Sequence, residues 1–197
     1  MKNLRVIFKR KDGGVSITRP TIGLNGVPSG FEVLTGKGGY PLELAEKDIE
    51  RLVTIDGKKE ENIRPYYEGL IIGGFTEEEA LHLIAKHAWI DDYISYRITS
   101  ADNIPTERKF REAWNDESPA ETVDICINKS KDIKKEEFRS LRKPKLEALD
   151  LEMMRRIGRN EPYDDIELKK QTLRDITNVD MPDNIGELSE FMPQELK

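Results

Sequence analysis

Residues 129–176 read KSKDIKKEEFRSLRKPKLEALDLEMMRRIGRNEPYDDIELKKQTLRDI. The stretch is charged throughout, yet apolar residues recur along it: Ile133, Phe138, Leu141, Leu146, Leu149, Met153 and Ile157, then Ile166, Leu173 and Ile176. Between the two series stands Gly158-Arg159-Asn160-Glu161-Pro162, a set of turn-forming residues. Two amphipathic stripes joined by a turn predict a helical hairpin laid on another surface, with solvated flanks. Pro144 has no amide hydrogen and its ring crowds the preceding turn, so the first helix is expected to break, kink or restart there. The jump from Leu141 to Leu146 in the apolar series agrees with such a break.

Upstream, the chain opens as a β-hairpin. Leu4, Val6 and Phe8 alternate with Arg5, Ile7 and Lys9, Asp12-Gly13-Gly14 supplies the turn, and Val15 and Ile17 alternate on the return. Glycines then crowd the stretch from Thr21 to Tyr40 around one short apolar run, Phe31 to Leu34, which reads as a loop containing a strand. Pro41 starts a helix carrying Leu42, Ala45, Ile49, Leu52 and Val53. Tyr66 to Ile72 reads as a buried strand stopped by Gly73-Gly74. Thr76-Glu77-Glu78-Glu79 is a capping box opening a helix through Ala88, and Tyr93 to Thr99 alternates as a strand with Ile94, Tyr96 and Ile98 on one face. Pro105 is expected to start a short helix with Phe110, Ala113 and Trp114 on one side, and Thr122 to Ile127 to form another strand.

This order predicts an α+β fold. A small β-rich domain with two helices spans residues 1–100. A strand, the helical hairpin and an acidic C-terminal tail span residues 101–197, and the boundary falls between Ser100 and Pro105. A hydrophobic share of 37% against 36% charged residues implies thin cores, because an ordinary globular chain has roughly 45–50% and 25%.

A net charge of −6 argues against general nucleic-acid binding, which needs a surplus of phosphate-neutralising side chains. The charge is uneven, however. From Lys129 to Arg159 eleven bases face six acids, whereas from Thr177 to Lys197 five acids face one base. A basic helix followed by an acidic tail predicts either pairing of the two or contact with an acidic partner. Cys126 is the only cysteine, which excludes an intrachain disulfide and a multi-cysteine zinc site. No window has the apolar length of a membrane span, and the start Met1-Lys2-Asn3-Leu4-Arg5 lacks the apolar core of a signal peptide, so a reducing cytoplasm is the expected location.

The chemistry-bearing residues do not assemble into a known catalytic order. Gly36-Lys37-Gly38-Gly39 lacks the spaced first glycine and the Ser or Thr after lysine of a phosphate loop. His82 and His87, the only histidines, are five apart on a helix and separated by roughly 140° around its axis, too far to share a metal readily. Asp124 beside Cys126 disfavours a thiolate there. An enzyme would need a cleft built from Asp91, Asp92, Glu121, Asp124 or His87, and a DNA-binding regulator would use the helix from Lys129 to Lys145. No catalytic residue, cofactor or metal is predicted.

Several stretches together resemble a poorly characterised family of small proteins encoded by bacteriophages and prophages among tail genes. They are Phe8 to Ile17, Thr76 to Lys86, Ile104 to Trp114, Val123 to Met154 with Arg142-Lys143-Pro144-Lys145-Leu146-Glu147-Ala148-Leu149-Asp150, and Lys169 to Ile176. Order and spacing hold across about the C-terminal three-fifths, and residues 21–74 look like an insertion relative to shorter members. The resemblance implies a virion component or a tail or tail-fibre assembly factor, a non-enzymatic protein whose partner is another tail polypeptide or a second copy of itself. Its place would be the host bacterial cytoplasm or the virion tail. Within the chain, Trp114, Phe138, Leu141, Met153 and Met154 are the candidate anchors, with Arg139, Arg142, Lys143 and Arg155 as the charged rim.

Overall fold

The computed structural model describes residues 3–21, 23–88, 92–117 and 122–197. Two of the residues weighed above, Asp91 and Glu121, lie outside them. The fold is α+β, with a small antiparallel sheet in the N-terminal part and a helical C-terminal part. Two compact units divide the chain: residues 1–105 with 115–124, and residues 106–114 with 125–197.

In the first unit, β1 (Leu4–Arg10) is the central strand, flanked by β2 (Val15–Thr18) and β3 (Tyr93–Ser100), both antiparallel to it. The register follows the alternation read from sequence at Tyr96 and Ile98, but it shifts between Lys9 and Arg10, so that Tyr93 joins the core face and Ile94, expected there, is 56% exposed. Val6 lies opposite Ile98 and Phe8 opposite Tyr96, which puts the apolar residues of both strands on one face. Phe8 also stacks on Tyr93 at 4.7 Å between ring centres. Four helices cover this face: α1 (Gly30–Thr35), α2 (Leu42–Thr54), α3 (Glu60–Ile72) and α4 (Glu77–Ala88). On the opposite face Ile7 is fully buried across from Arg97, whose guanidinium holds Asp116 at 2.6 Å.

Two of these helices replace expected strands. Phe31 to Leu34 lies in α1, because Ser29 and Glu32 form a capping box and Phe31 and Leu34 then fall on one helical face. Tyr66 to Ile72 lies in α3, where burial follows Ile63, Tyr67 and Leu70 at helical spacing while Ile72 is exposed. Gly69 makes α3 compatible with its neighbours: a Cβ there would stand 2.8 Å from Leu34 and 2.9 Å from Leu83. The helix at Thr76 is capped as expected, with the Glu79 carboxylate accepting from the Thr76 amide at 2.9 Å.

No helix starts at Pro105. The chain from Thr106 runs through turns to a single 3-10 turn, Arg111–Ala113, although Phe110, Ala113 and Trp114 are each buried and the first two share a cluster. The two short strands β4 (Trp114–Asn115) and β5 (Asp124–Ile125) have two residues each, so the strand expected over Thr122 to Ile127 is cut short by the helix that starts at Ile127. That helix, α5 (Ile127–Gly158), is unbroken through Pro144. Pro144 and Ser140 are both exposed, so water can reach the Ser140 carbonyl that loses its intrahelical donor. α6 (Asp164–Asp175) returns as the second arm of the hairpin, and the tail forms α7 (Ile185–Glu190) and a final turn, Gln194–Leu196. Among the described residues no helix is long and apolar enough to cross a membrane.

Candidate partner-binding surface

The α5–α6 hairpin is a preformed scaffold, held by ionic clamps at intervals along its length. Near the turn, Arg156 reaches Glu152 at 2.8 Å and Asp165 at 2.6 Å, and donates to the Pro162 carbonyl at 3.1 Å. The Arg156 guanidinium holds the Asp165 carboxyl below the usual carboxylate range. Further along, Lys170 pairs with Asp150 at 2.8 Å and Glu167 at 3.3 Å, and it stands 3.6 Å from the Met153 sulfur. Asp150, the nearest carboxylate, raises the Lys170 pKa. At the far end, Arg142 donates to the Arg174 carbonyl at 2.6 Å, placing a cation where the α6 dipole is negative.

Around and beyond the Arg142 clamp Phe138, Leu173, Ile176 and Leu196 form a buried cluster, packed by Leu146, Leu149, Phe191 and Met192. A second cluster, Phe110, Ala113 and Leu188, lies under the N-terminal half of α5 beside Ile127 and Ile133. Here Lys134 is only 1% exposed, with its Nζ 2.9 Å from Glu137 and 3.2 Å from the Ser189 carbonyl. Lys109 donates to the same carbonyl at 2.9 Å.

The structure sorts the sequence-predicted anchors into two groups. Phe138 is fully buried and Trp114 nearly so, with the Arg108 guanidinium 5.1 Å from the Trp114 ring centre. Phe138 serves the core of its own unit, and burial removes both from the candidate surface. Met153 is half-buried against Lys170. Met154 is 70% exposed and Leu141 39% exposed, so these two face outward. Sequence reasoning passed over Leu151 and Leu168, exposed at 55% and 71%, and counted Ile157, which is 52% exposed, in the inward series. A signal was present, since Leu151, Met154 and Ile157 recur at three-residue steps along the helix.

The rim charges divide in the same way. Lys143 and Arg155 are exposed, whereas Arg142 is spent on the α6 carbonyls and Arg139 pairs with Glu136. Most of the remaining basic run is also engaged within the chain. Lys131 pairs with Asp183 at 2.5 Å, Lys135 with Asp132 at 3.4 Å, and Lys145 donates to the Glu195 carbonyl at 2.9 Å. The basic helix and the acidic tail therefore complement each other.

The remaining chemistry-bearing residues are dispersed. Among the described residues no group of three or more His, Cys, Asp or Glu stands close enough to hold a metal ion. His82 meets the Tyr96 hydroxyl at 3.2 Å, and His87 lies against Tyr66 with ring centres 4.3 Å apart. Cys126 stands at the N-terminus of α5, where its carbonyl accepts from the Ser130 hydroxyl at 3.0 Å. Comparison of the chain with protein-family models, with curated proteins and with solved structures finds no match in any of the three.

Proposed function

We propose that this is a non-enzymatic docking protein that binds another polypeptide through the outward face of the α5–α6 hairpin. The observation that carries the reading is that this clamped scaffold leaves Leu151, Met154 and Ile157 of α5 and Leu168 of α6 exposed. A stiff hairpin loses little conformational freedom on binding, so exposed apolar area on it converts efficiently to affinity. The resemblance of the sequence to phage tail-gene products directs the choice of partner. In this reading the partner is a tail or tail-fibre polypeptide, and the protein is a tail component or an assembly factor. Internal engagement of the basic run weighs against the DNA-binding alternative, since those cations would have to leave carboxylates and carbonyls to meet phosphates.

Quantitative mass spectrometry of purified particles beside their lysate tests the assignment. Stoichiometric presence in particles makes the protein a structural component, presence only in lysate makes it an assembly factor, and failure to co-purify with any tail polypeptide from either sample rejects the reading. The double variant Leu151→Glu/Met154→Glu should abolish capture of the tail polypeptide while changing stability by no more than about 0.5 kcal/mol, the ordinary range for surface substitutions.

A further inference from the structure

Residues 180–197 are fastened to the α5–α6 hairpin in a way that lets them leave it as one piece. The amides of Leu188, Phe191, Leu196 and Lys197 donate to the carbonyls of Asn184, Leu188, Pro193 and Gln194, so these backbone bonds close within the segment. Among the described residues none joins its backbone to that of α5 or α6. Side chains hold it instead. Lys109 and Lys134 donate to the Ser189 carbonyl at 2.9 and 3.2 Å, and Lys145 donates to the carbonyls of Glu195 and Lys197 at 2.9 and 3.3 Å. The Ser189 hydroxyl donates to Glu107 at 3.3 Å, and Lys131 pairs at 2.5 Å with Asp183, whose side chain is 90% exposed.

The segment fills two apolar seats. Leu188 clusters with Phe110 and Ala113, and Leu196 with Phe138 and Leu173, where Phe191 stands 6.1 Å from Phe138 between ring centres. Phe110, Ala113 and Phe138 are fully buried with the segment in place. Lifting it bares them and takes the Ser189 carbonyl away from Lys134, so the seats must be filled again. The connection is suited to release. Val179 is extended (φ −67°, ψ 146°), and Pro182 favours the same conformation at Met181. Val179 and Met181 pack on the clusters, but residues 177–181 also border an open cavity of about 570 Å³ against Lys135 of α5, and both members of the Lys131–Asp183 pair line it.

We propose that residues 180–197 exchange between two copies of this chain, each copy's segment filling the other's seats, with the connection 179–184 as the hinge. The segment that fits these seats is this one, and an identical copy fits them equally. Every contact of the segment with its host is then remade between chains, so the difference lies in the hinge and in the entropy of association. Closure within one chain through a short connection works at an effective concentration on the order of millimolar, so exchange should emerge as the protein concentration approaches that value. The seats share no residue with the exposed set Leu151, Met154, Ile157 and Leu168, and the exchange does not depend on the docking reading.

The Lys131–Asp183 contact reports on exchange in the unaltered protein. Equal amounts of unlabelled and heavy-nitrogen-labelled chain are mixed at about millimolar concentration, treated with a carbodiimide that joins amine to carboxylate without a spacer, and separated by size. Exchange predicts a dimer in which roughly half of the cross-linked Lys131–Asp183 peptides combine the two isotopes, the share set by random pairing. Deleting Asp180, Met181 and Pro182 shortens the hinge and hinders closure within one chain, so that variant should be dimeric already at micromolar concentration. A chain that stays monomeric throughout, or cross-links confined to single-isotope pairs, would overturn the proposal. Rapid hydrogen exchange of the 185–197 amides as a unit, without hybrid cross-links, would also overturn it, by assigning the open seats to something other than a second copy. The Leu151→Glu/Met154→Glu variant should exchange as the native chain does; loss of the dimer there would place the contact on the docking surface and reject the exchange.

Discussion

Each unit buries a side chain that could carry positive charge, and the two are treated in opposite ways. In the first unit His87 packs on Tyr66 and Tyr67, and its Nε2 has no hydrogen-bond partner among the described residues. In the second, Lys134 is more deeply buried but its Nζ meets both the Glu137 carboxylate and the Ser189 carbonyl. Burial, aided by the Lys58 charge, pushes the His87 pKa down to about 4, so the ring is neutral at physiological pH and tolerates an apolar seat. Burial also lowers the Lys134 pKa, with Glu137 opposing the shift. A histidine can escape a desolvation cost by losing its proton near neutrality. A lysine starts far above neutrality and needs partners instead.

The largest expected effect concerns the core that surrounds the lysine. Phe138→Ala should destabilise the protein by about 3–5 kcal/mol in denaturant unfolding, the range for a large buried aromatic cut to alanine. A loss below about 1 kcal/mol would mean that Phe138 is not the packing centre of its unit, and would return it to the list of surface anchors.

The lysine itself gives a sharper test, because its two removals should be unequal. Glu137→Ala leaves the buried ammonium with the Ser189 carbonyl and the face of the Phe138 ring and should cost about 1–3 kcal/mol. Lys134→Met keeps the volume and removes the charge, while Lys109 still serves that carbonyl, so its cost should be smaller than about 1.5 kcal/mol or reverse in sign. Equal costs for the two would show that the ion pair, rather than the need to satisfy a buried charge, holds this corner.

The smallest effect is the histidine's, and it appears only in acid. The unfolded chain takes up a proton on His87 near pH 6.5, while the folded chain resists until about 4. The unfolded state therefore binds more protons between those values, and stability falls as pH drops through that window while the contribution is flat above it. The expected loss attributable to His87 is about 1–2 kcal/mol, reduced from the full linkage value because the ring is partly exposed. His87→Phe should flatten this segment of the stability–pH curve; an unchanged slope would move the acid sensitivity elsewhere.

Much of this arrangement was legible in sequence where a local pattern and its burial coincide. The β1–β2 hairpin, the Thr76 cap, the alternation of β3 from Tyr96 onward and the α5–α6 hairpin all depend on periodicity or on turn residues a few positions apart. The misread segments are short apolar runs whose helical or extended fate depends on neighbours. Tyr66 to Ile72 looks like a strand by composition, and it becomes a helix because Ile63, Tyr67 and Leu70 find the α1, α2 and α4 cluster on one side. The candidate site divides along the same line. Met154 and Phe138 are both large apolar residues on one amphipathic helix, and periodicity alone does not say which of its faces another element of the chain will cover.

By itself, then, the sequence determined an α+β chain with a terminal helical hairpin, a basic helix and an acidic tail able to answer it. Tertiary structure decided which side chains remain available. It carried α5 unbroken through Pro144 on a face open to water, committed Trp114, Phe138, Arg142 and most of the basic run to contacts within the chain, and left Leu151, Met154, Ile157 and Leu168 outside. Periodicity marks which residues favour burial locally, whereas occupancy of a surface depends on residues distant in sequence, such as Ser189 against Lys134 and Glu195 against Lys145.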